Sequence, residues 1–169
     1  MRQLKLAGVV AAIGVVTSAM LSSSAVWGQQ DPTKQLVGTW TLVSATSTLP
    51  DGKKYQPFGA NGQGMLVFDP AGRYSLQICR PDRPKFASGS REKGTPEENQ
   101  ATVHGCNPHW GRYSVSGDTI VFHIEHAMYP NWQGIEQKRT FTIQGDQLKY
   151  SVPAASGGGT AEVIWKRAN

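Results

Sequence analysis

The chain has 169 residues, with 17 Lys+Arg against 12 Asp+Glu, a formal net charge of +5, two cysteines, 19 glycines and 10 prolines. Only 17% of residues are charged and aromatics are spread along the chain, which excludes disorder; no Gly-x-y period or heptad appears, which excludes collagen, coiled coil and solenoid. One globular domain fits this length.

Arg2 and Lys5 precede an apolar run over 6–21, then Ser22-Ser23-Ser24 and the small-residue site Val26-Trp27-Gly28. This order predicts a cleaved secretory signal over 1–28, a domain over 29–169, and a secreted or periplasmic protein. The run falls short of the roughly 20 residues that span a bilayer and carries Gly8 and Gly14, so no membrane anchor is expected after cleavage. No cysteine stands at the cleavage point to carry a lipid. Removing Arg2 and Lys5 lowers the net charge by two, leaving too little to predict a nucleic-acid partner. Cys79 and Cys106 both lie in the exported part, where thiols are commonly oxidised, and a disulfide between them is expected.

Beyond residue 35 the apolar residues recur with period two between turn signals, as in strands. Strands are predicted over 36–45, 64–68, 73–79, 110–116, 119–127, 136–143, 147–152 and 160–166. Their connections carry hairpin chemistry: Asp69-Pro70-Ala71-Gly72, Gly117-Asp118, Gly145-Asp146 and Gly157-Gly158-Gly159. Eight strands in sequential hairpins predict an all-β, antiparallel meander closed into a barrel, which removes exposed edges. The long connection 80–109 breaks the rhythm. It carries one short helix before Trp110, with Thr95 as N-cap, Pro96 in first position, Glu98 completing a capping box and Gly105 as the stop. That helix would lie across one end of the barrel.

The tight turns fix side-chain direction. A two-residue turn at Gly145-Asp146 sets Ile143 against Leu148, Phe141 against Tyr150 and Arg139 against Val152, all on one apolar face. Arg139 therefore points inward with that face, where a guanidinium needs a counter-charge or a ligand anion. The Gly117-Asp118 turn pairs Val115 with Ile120, Tyr113 with Phe122 and Arg112 with His123. Trp110, Arg112, Ser114, Val121, His123 and Glu125 then share a face whose direction the pattern leaves open. A turn centred on Asn131 puts His123 opposite Arg139, inside; a one-residue slip exports His123 and Glu125 and is favoured by Ile120, Phe122 and Ile124.

Gly38-Thr39-Trp40 resembles the Gly-x-Trp opening of lipocalins. Further motifs are Arg80-Pro81-Asp82-Arg83-Pro84-Lys85-Phe86, Gly94-Thr95-Pro96-Glu97-Glu98, Gly111-Arg112-Tyr113, His123-Ile124-Glu125, Pro130-Asn131-Trp132-Gln133-Gly134 and Arg139-Thr140-Phe141. With these the chain, from about 36 to 166, resembles the bacterial and fungal lipocalin-like domain family. The resemblance implies a small antiparallel barrel with a central cavity and brings no settled ligand or reaction. It favours the interior placement of His123 and Glu125, and it lends no support to the disulfide, because apolar residues are usual where Cys79 and Cys106 stand.

With that placement, Arg112, His123, Glu125 and Arg139 gather in an apolar calyx beside Trp110, Tyr113 and Trp132. Two cations against one carboxylate suit the anionic or carbonyl group of a small, largely apolar ligand; a purely structural Glu125–arginine bridge is the plainer reading. The alternative is a cofactor-free isomerase, cyclase or dehydratase, with Glu125 fixing the tautomer of His123 as general base and an arginine stabilising the oxyanion. A metal site using His123 and Glu125 with His104, His109 or His126 lacks any recognised ligand spacing, so no metal and no cofactor is expected. The basic stretch 80–93 reads as a solvated loop. Nothing in the sequence fixes the oligomeric state.

Overall fold

The computed structural model describes residues 31–168. The signal expected over 1–28 lies outside them. Nine strands form one antiparallel sheet: β1 Gly38–Thr48, β2 Lys54–Tyr55, β3 Gln63–Phe68, β4 Arg73–Cys79, β5 His109–Ser116, β6 Thr119–Ala127, β7 Glu136–Gln144, β8 Gln147–Val152 and β9 Thr160–Arg167. From β3 each strand pairs with the next, and β1 pairs with both β3 and β9, which closes eight strands into a barrel. The eight predicted strands are all present. The two-residue β2, which pairs only with the end of β1, is too short to leave a periodic signal.

Chain direction sorts the connections by end. The tight turns around Gly72, Gly117 and Gly145 all lie at the end where β1 begins, and each of these glycines takes a positive φ (83°, 60° and 57°) that a side chain would strain. A short helix α1, Pro32–Leu36, closes this end. Residue 36, expected to open the first strand, ends that helix and plugs the barrel with a fully buried side chain. Trp40, also fully buried, donates its indole N–H to the Leu36 carbonyl at 2.8 Å, and the Arg167 guanidinium stacks on its ring at 4.2 Å. The Gly-Thr-Trp motif is thus the fastening of the closed end.

The other end receives every long connection: 49–62, 80–108, 128–135 and 153–159. Within 80–108 lies helix α2, Pro96–His104, with the capping box between Thr95 and Glu98 that the sequence predicts and Gly105 at its C-cap. Cys79 and Cys106 form a disulfide, so the loop that carries α2 is tied to the rim of β4 at its root. Closing a loop of this span restricts the unfolded chain by about 3 to 4 kcal/mol in the entropy model.

Register decides which residues meet inside. Across β5 and β6, Val115 opposes Ile120, Tyr113 opposes Phe122 and Arg112 opposes His123, as the turn chemistry predicts. Phe141–Tyr150 and Ile143–Leu148 pair likewise across β7 and β8. Between β6 and β7 the frame differs from the interior placement of His123. Ile120 faces Arg139 and His123 faces Glu136, so Ile120, Phe122 and Ile124 are buried while His123 and Glu125 point outward. The reason is energetic: exporting three large apolar side chains forfeits about 1.5 to 3 kcal/mol each, and importing a carboxylate adds a desolvation cost.

Gly111 lets the backbone of β6 approach β5 closely. It stands at a register shift against β6, and an added Cβ would lie 2.1 Å from the His123 carbonyl oxygen. Gly111→Ala is expected to destabilise the barrel by about 1 to 3 kcal/mol, because backbone must move to admit the methyl group; urea denaturation followed by tryptophan fluorescence measures it.

Candidate functional site

The barrel interior is solid apolar packing toward the closed end and opens into a cavity of about 120 Å³ toward the loop end. Its walls are alternate residues of the strands, among them Ala45, Leu76, Phe122 and Val163, with Phe58 and Trp132 from the loops. Besides Tyr55, Asn107 and Ser156 on the rim, polar groups reach this surface from the strands: Arg139 from β7, His109 from β5, Tyr150 from β8 and Ser47 from β1. These last four are buried.

Arg139 is 8% exposed. One Nη donates to the Lys138 carbonyl at 2.9 Å and the other to Gln137 Oε1. Among the described residues no carboxylate lies within ion-pair distance of it. Burial lowers its pKa, while the facing phenols of Tyr150 and Tyr74 act in the opposite direction. A guanidinium stays protonated in proteins, so the cavity wall holds a lasting positive charge.

The groups around it are neutral. Tyr74 Oη and His109 Nδ1 lie 2.8 Å apart. Burial first, and the positive field of Arg139 second, push the His109 pKa down to about 3. Burial pushes Tyr150 up to about 12 and raises Tyr74 further, with Arg139 pulling both the other way. At neutral pH both phenols therefore keep their protons.

The expected site residues divide between two faces. Arg139 and Trp132 line the cavity. Tyr113 is buried below it at the closed end, its hydroxyl donating to the Asp69 carbonyl at 2.9 Å and its ring 4.7 Å from Phe68. Trp110, Arg112, His123 and Glu125 stand on the outer wall, which corrects the placement implied by the resemblance. There Glu125 joins Arg73 at 2.8 Å and Arg112 at 3.5 Å, the Arg73 guanidinium lies 5.8 Å from the Trp110 ring, and Trp110 stacks on His126. His123 Nδ1 pairs with Glu136 at 2.8 Å and its Nε2 lies 3.2 Å from Ser114 Oγ. The Ser114–His123–Glu136 row lies on the exposed outer wall, away from the cavity, and the strand N–H groups beside it are committed to the ladder rather than free to bind an oxyanion. The acid–base pair proposed for the cavity does not reach it. Histidines 104, 109 and 126 lie in the mouth, the cavity and the outer wall respectively, and the described residues contain no cluster of three metal-ligating side chains.

Tyr74, His109, Tyr150 and Ser47 were not singled out as a cavity pole by their sequence context. The signal for Tyr74 exists in the alternation Tyr74, Leu76, Ile78, all buried; His109 sits at the first residue of β5, where no alternation precedes it.

A family model described as a lipocalin-like domain matches residues 37–168. The chain belongs to the lipocalin-like domain family. Among solved structures it is similar to a lipocalin-like protein from Bacteroides uniformis (15% identity, covering 79% of this chain and 98% of that one, TM-score 0.44) and an uncharacterized protein from Bacteroides eggerthii (15%, 79% and 99%, 0.41). It is also similar to the fluorescent protein UnaG (13%, 80% and 99%, 0.39). No curated protein matches the chain.

The depressed pKa of His109 has a measurable consequence. Its folded value lies below the ordinary 6.5, so the unfolded chain binds the extra proton first: the stability it supports is present above about pH 6.5 and is lost as pH falls toward about 3. His109→Asn, which keeps a polar group near Tyr74 but does not titrate, is expected to flatten the fall of the unfolding midpoint over that window relative to the wild-type protein.

Proposed function

We propose that this is an exported binding protein that takes a small, largely apolar molecule bearing an anionic or carbonyl group into the barrel cavity. The observation that carries the reading is Arg139: a buried cation with no carboxylate partner among the described residues, on the wall of a mostly apolar cavity. Burying an unpaired charge costs several kcal/mol, and a ligand anion or carbonyl recovers that cost through charge-assisted hydrogen bonds. Tyr150 stands with Arg139 as a neutral hydroxyl facing the same space. Lipocalin-like membership is consistent with a ligand in the calyx. Export is supported by the order of charge, apolar run and small residues in 1–28 and by the Cys79–Cys106 disulfide. Among the described residues no helix is long and apolar enough to cross a membrane.

Native mass spectrometry of protein purified from its own host is expected to reveal a co-purified small molecule. Arg139→Met should weaken that molecule by about 1.5 to 3 kcal/mol, the scale of a charged hydrogen bond, and His123→Ala should leave its affinity unchanged. In the ligand-free protein the same Arg139→Met change should raise stability, by about 1 to 4 kcal/mol, because it removes an uncompensated buried charge while keeping most of the side-chain volume. Equal affinity in the wild-type and Arg139→Met proteins would defeat the reading.

N-terminal sequencing of exported protein should find a chain beginning near Gln29; a start at Met1 would reject cleavage.

A further inference from the structure

The cavity does not end at its own mouth. An open vestibule of about 570 Å³ continues from it, and the two spaces share Tyr55, Phe58, Asn107 and Trp132 as a common rim. The inner space is small: an apolar cavity of about 150 Å³ holds one benzene ring, so about 120 Å³ beside Arg139 takes a head group and a few more atoms. The vestibule beyond is open and mixed in character: Val103 (52% exposed), Tyr129 (44% exposed), Met128 and Trp132 supply apolar surface, and His104, Asn107 and Ser156 supply polar groups. A line of rings joins the two compartments. His109 and Trp132 meet edge to face at 5.8 Å, and Trp132 meets Tyr129 the same way at 5.6 Å.

One wall of the vestibule is the end of α2, through Val103 and His104, together with Cys106. No residue of α2 is buried, so apolar packing does not hold this wall. It is held at its root, by the Cys79–Cys106 bond, by Arg80 N–H to the Gly105 carbonyl at 2.7 Å and by Asn107 N–H to the Ile78 carbonyl at 2.8 Å.

We propose that the ligand is bipartite, a compact anionic end in the inner cavity and a flat aromatic body in the vestibule, and that the disulfide-tethered α2 loop is the specificity element that grips the body. This rests on the binding role given above to Arg139. Edge-to-face partners are what a flat ring finds along His109, Trp132 and Tyr129, and the unburied apolar side chains of the mouth find in it the cover they otherwise lack.

Two acids separate the compartments: benzoate, whose carboxylate enters the inner space while its ring reaches the rim at most, and 4-biphenylcarboxylate, whose second ring must pass the rim into the vestibule. By titration calorimetry on the oxidised protein the biphenyl acid is expected to bind at least tenfold more tightly. Val103→Asn, at an exposed helix position, and the paired Cys79→Ser/Cys106→Ser change should each remove most of that advantage while leaving benzoate unchanged; if the cysteine variant does not fold, Val103→Asn decides alone. Arg139→Met should weaken both acids. A biphenyl acid no tighter than benzoate, or an advantage untouched by Val103→Asn, overturns the bipartite ligand even where benzoate still depends on Arg139. Failure of both acids to bind the wild-type protein, or binding of both independent of Arg139, overturns the binding role as well.

Discussion

The pairing of β6 with β7 is the constraint on which the interior depends. Because side chains alternate strictly, an odd shift in one ladder exchanges the two faces of a strand. With Ile120 opposite Arg139, β6 contributes Ile120, Phe122 and Ile124 to the core, and Phe122 in turn packs against Phe68, Tyr74 and Tyr150. The loop holds this frame in place: a short 3-10 turn over Pro130–Trp132 brings Gly134 N–H to the Ile124 carbonyl at 2.8 Å and Ile124 N–H to the Ile135 carbonyl at 3.0 Å. The same turn swings Trp132 over the cavity. Register and rim are therefore set by one segment.

Once that frame is fixed, Arg139 is the exception that gives the interior its chemistry. Phe141 and Ile143, which β7 also directs inward, are apolar, Gln137 on the same face is neutral and serves as a hydrogen-bond acceptor for Arg139, and a methionine at this position would pack without electrostatic cost. The guanidinium instead faces two phenols and an imidazole, groups that solvate a cation by their dipoles without neutralising it. Such a pole has hydrogen-bond acceptors but, among the described residues, no counter-charge. The outer wall shows the contrast: Arg73 and Arg112 share Glu125 on a water-exposed surface, where charges are already satisfied by one another and by solvent, and where each pair contributes little to stability.

Much of this fold was legible in the sequence. Tight turns of fixed length at Gly117-Asp118 and Gly145-Asp146 determine pairing, so the β5–β6 and β7–β8 registers followed from the residues, and with them the inward direction of Arg139. The capping box at Thr95 and Glu98 is a local device and was equally readable. The site was less so. The connection 128–135 is long enough to admit either frame, and motif resemblance pointed His123 and Glu125 inward against an apolar alternation, Ile120, Phe122, Ile124, that proved to be the stronger signal. His109 lies inside and Trp110 outside by the plain alternation of β5, while the extra residue of the register shift falls on β6 at Glu125, opposite Trp110 and Gly111. Tyr74 and His109 come from strands far apart in sequence, and their 2.8 Å contact is created by the β4–β5 pairing alone.

The division between the two ends of the barrel follows from chain length. Two- and four-residue turns cannot reach across an opening, so the end that gathers them is closed by side chains, Leu36 and Trp40 foremost. The long connections at the opposite end have backbone to spare, and it is spent on a helix that buries nothing, a lone β2 ribbon and the glycine loop before β9. Segments with few buried contacts open locally at low free-energy cost, whereas the pole beneath them sits on strands bonded to neighbours on both sides. On the proposed binding role, a fixed charge on a rigid floor would recognise one end of a ligand, and the loops above it would choose the body. Because Arg139 keeps its proton and His109, Tyr74 and Tyr150 stay neutral around physiological pH, the floor does not change its charge there. On the binding role proposed for Arg139, any pH dependence of binding in that range would belong to the ligand, held as the anion and released as it is protonated.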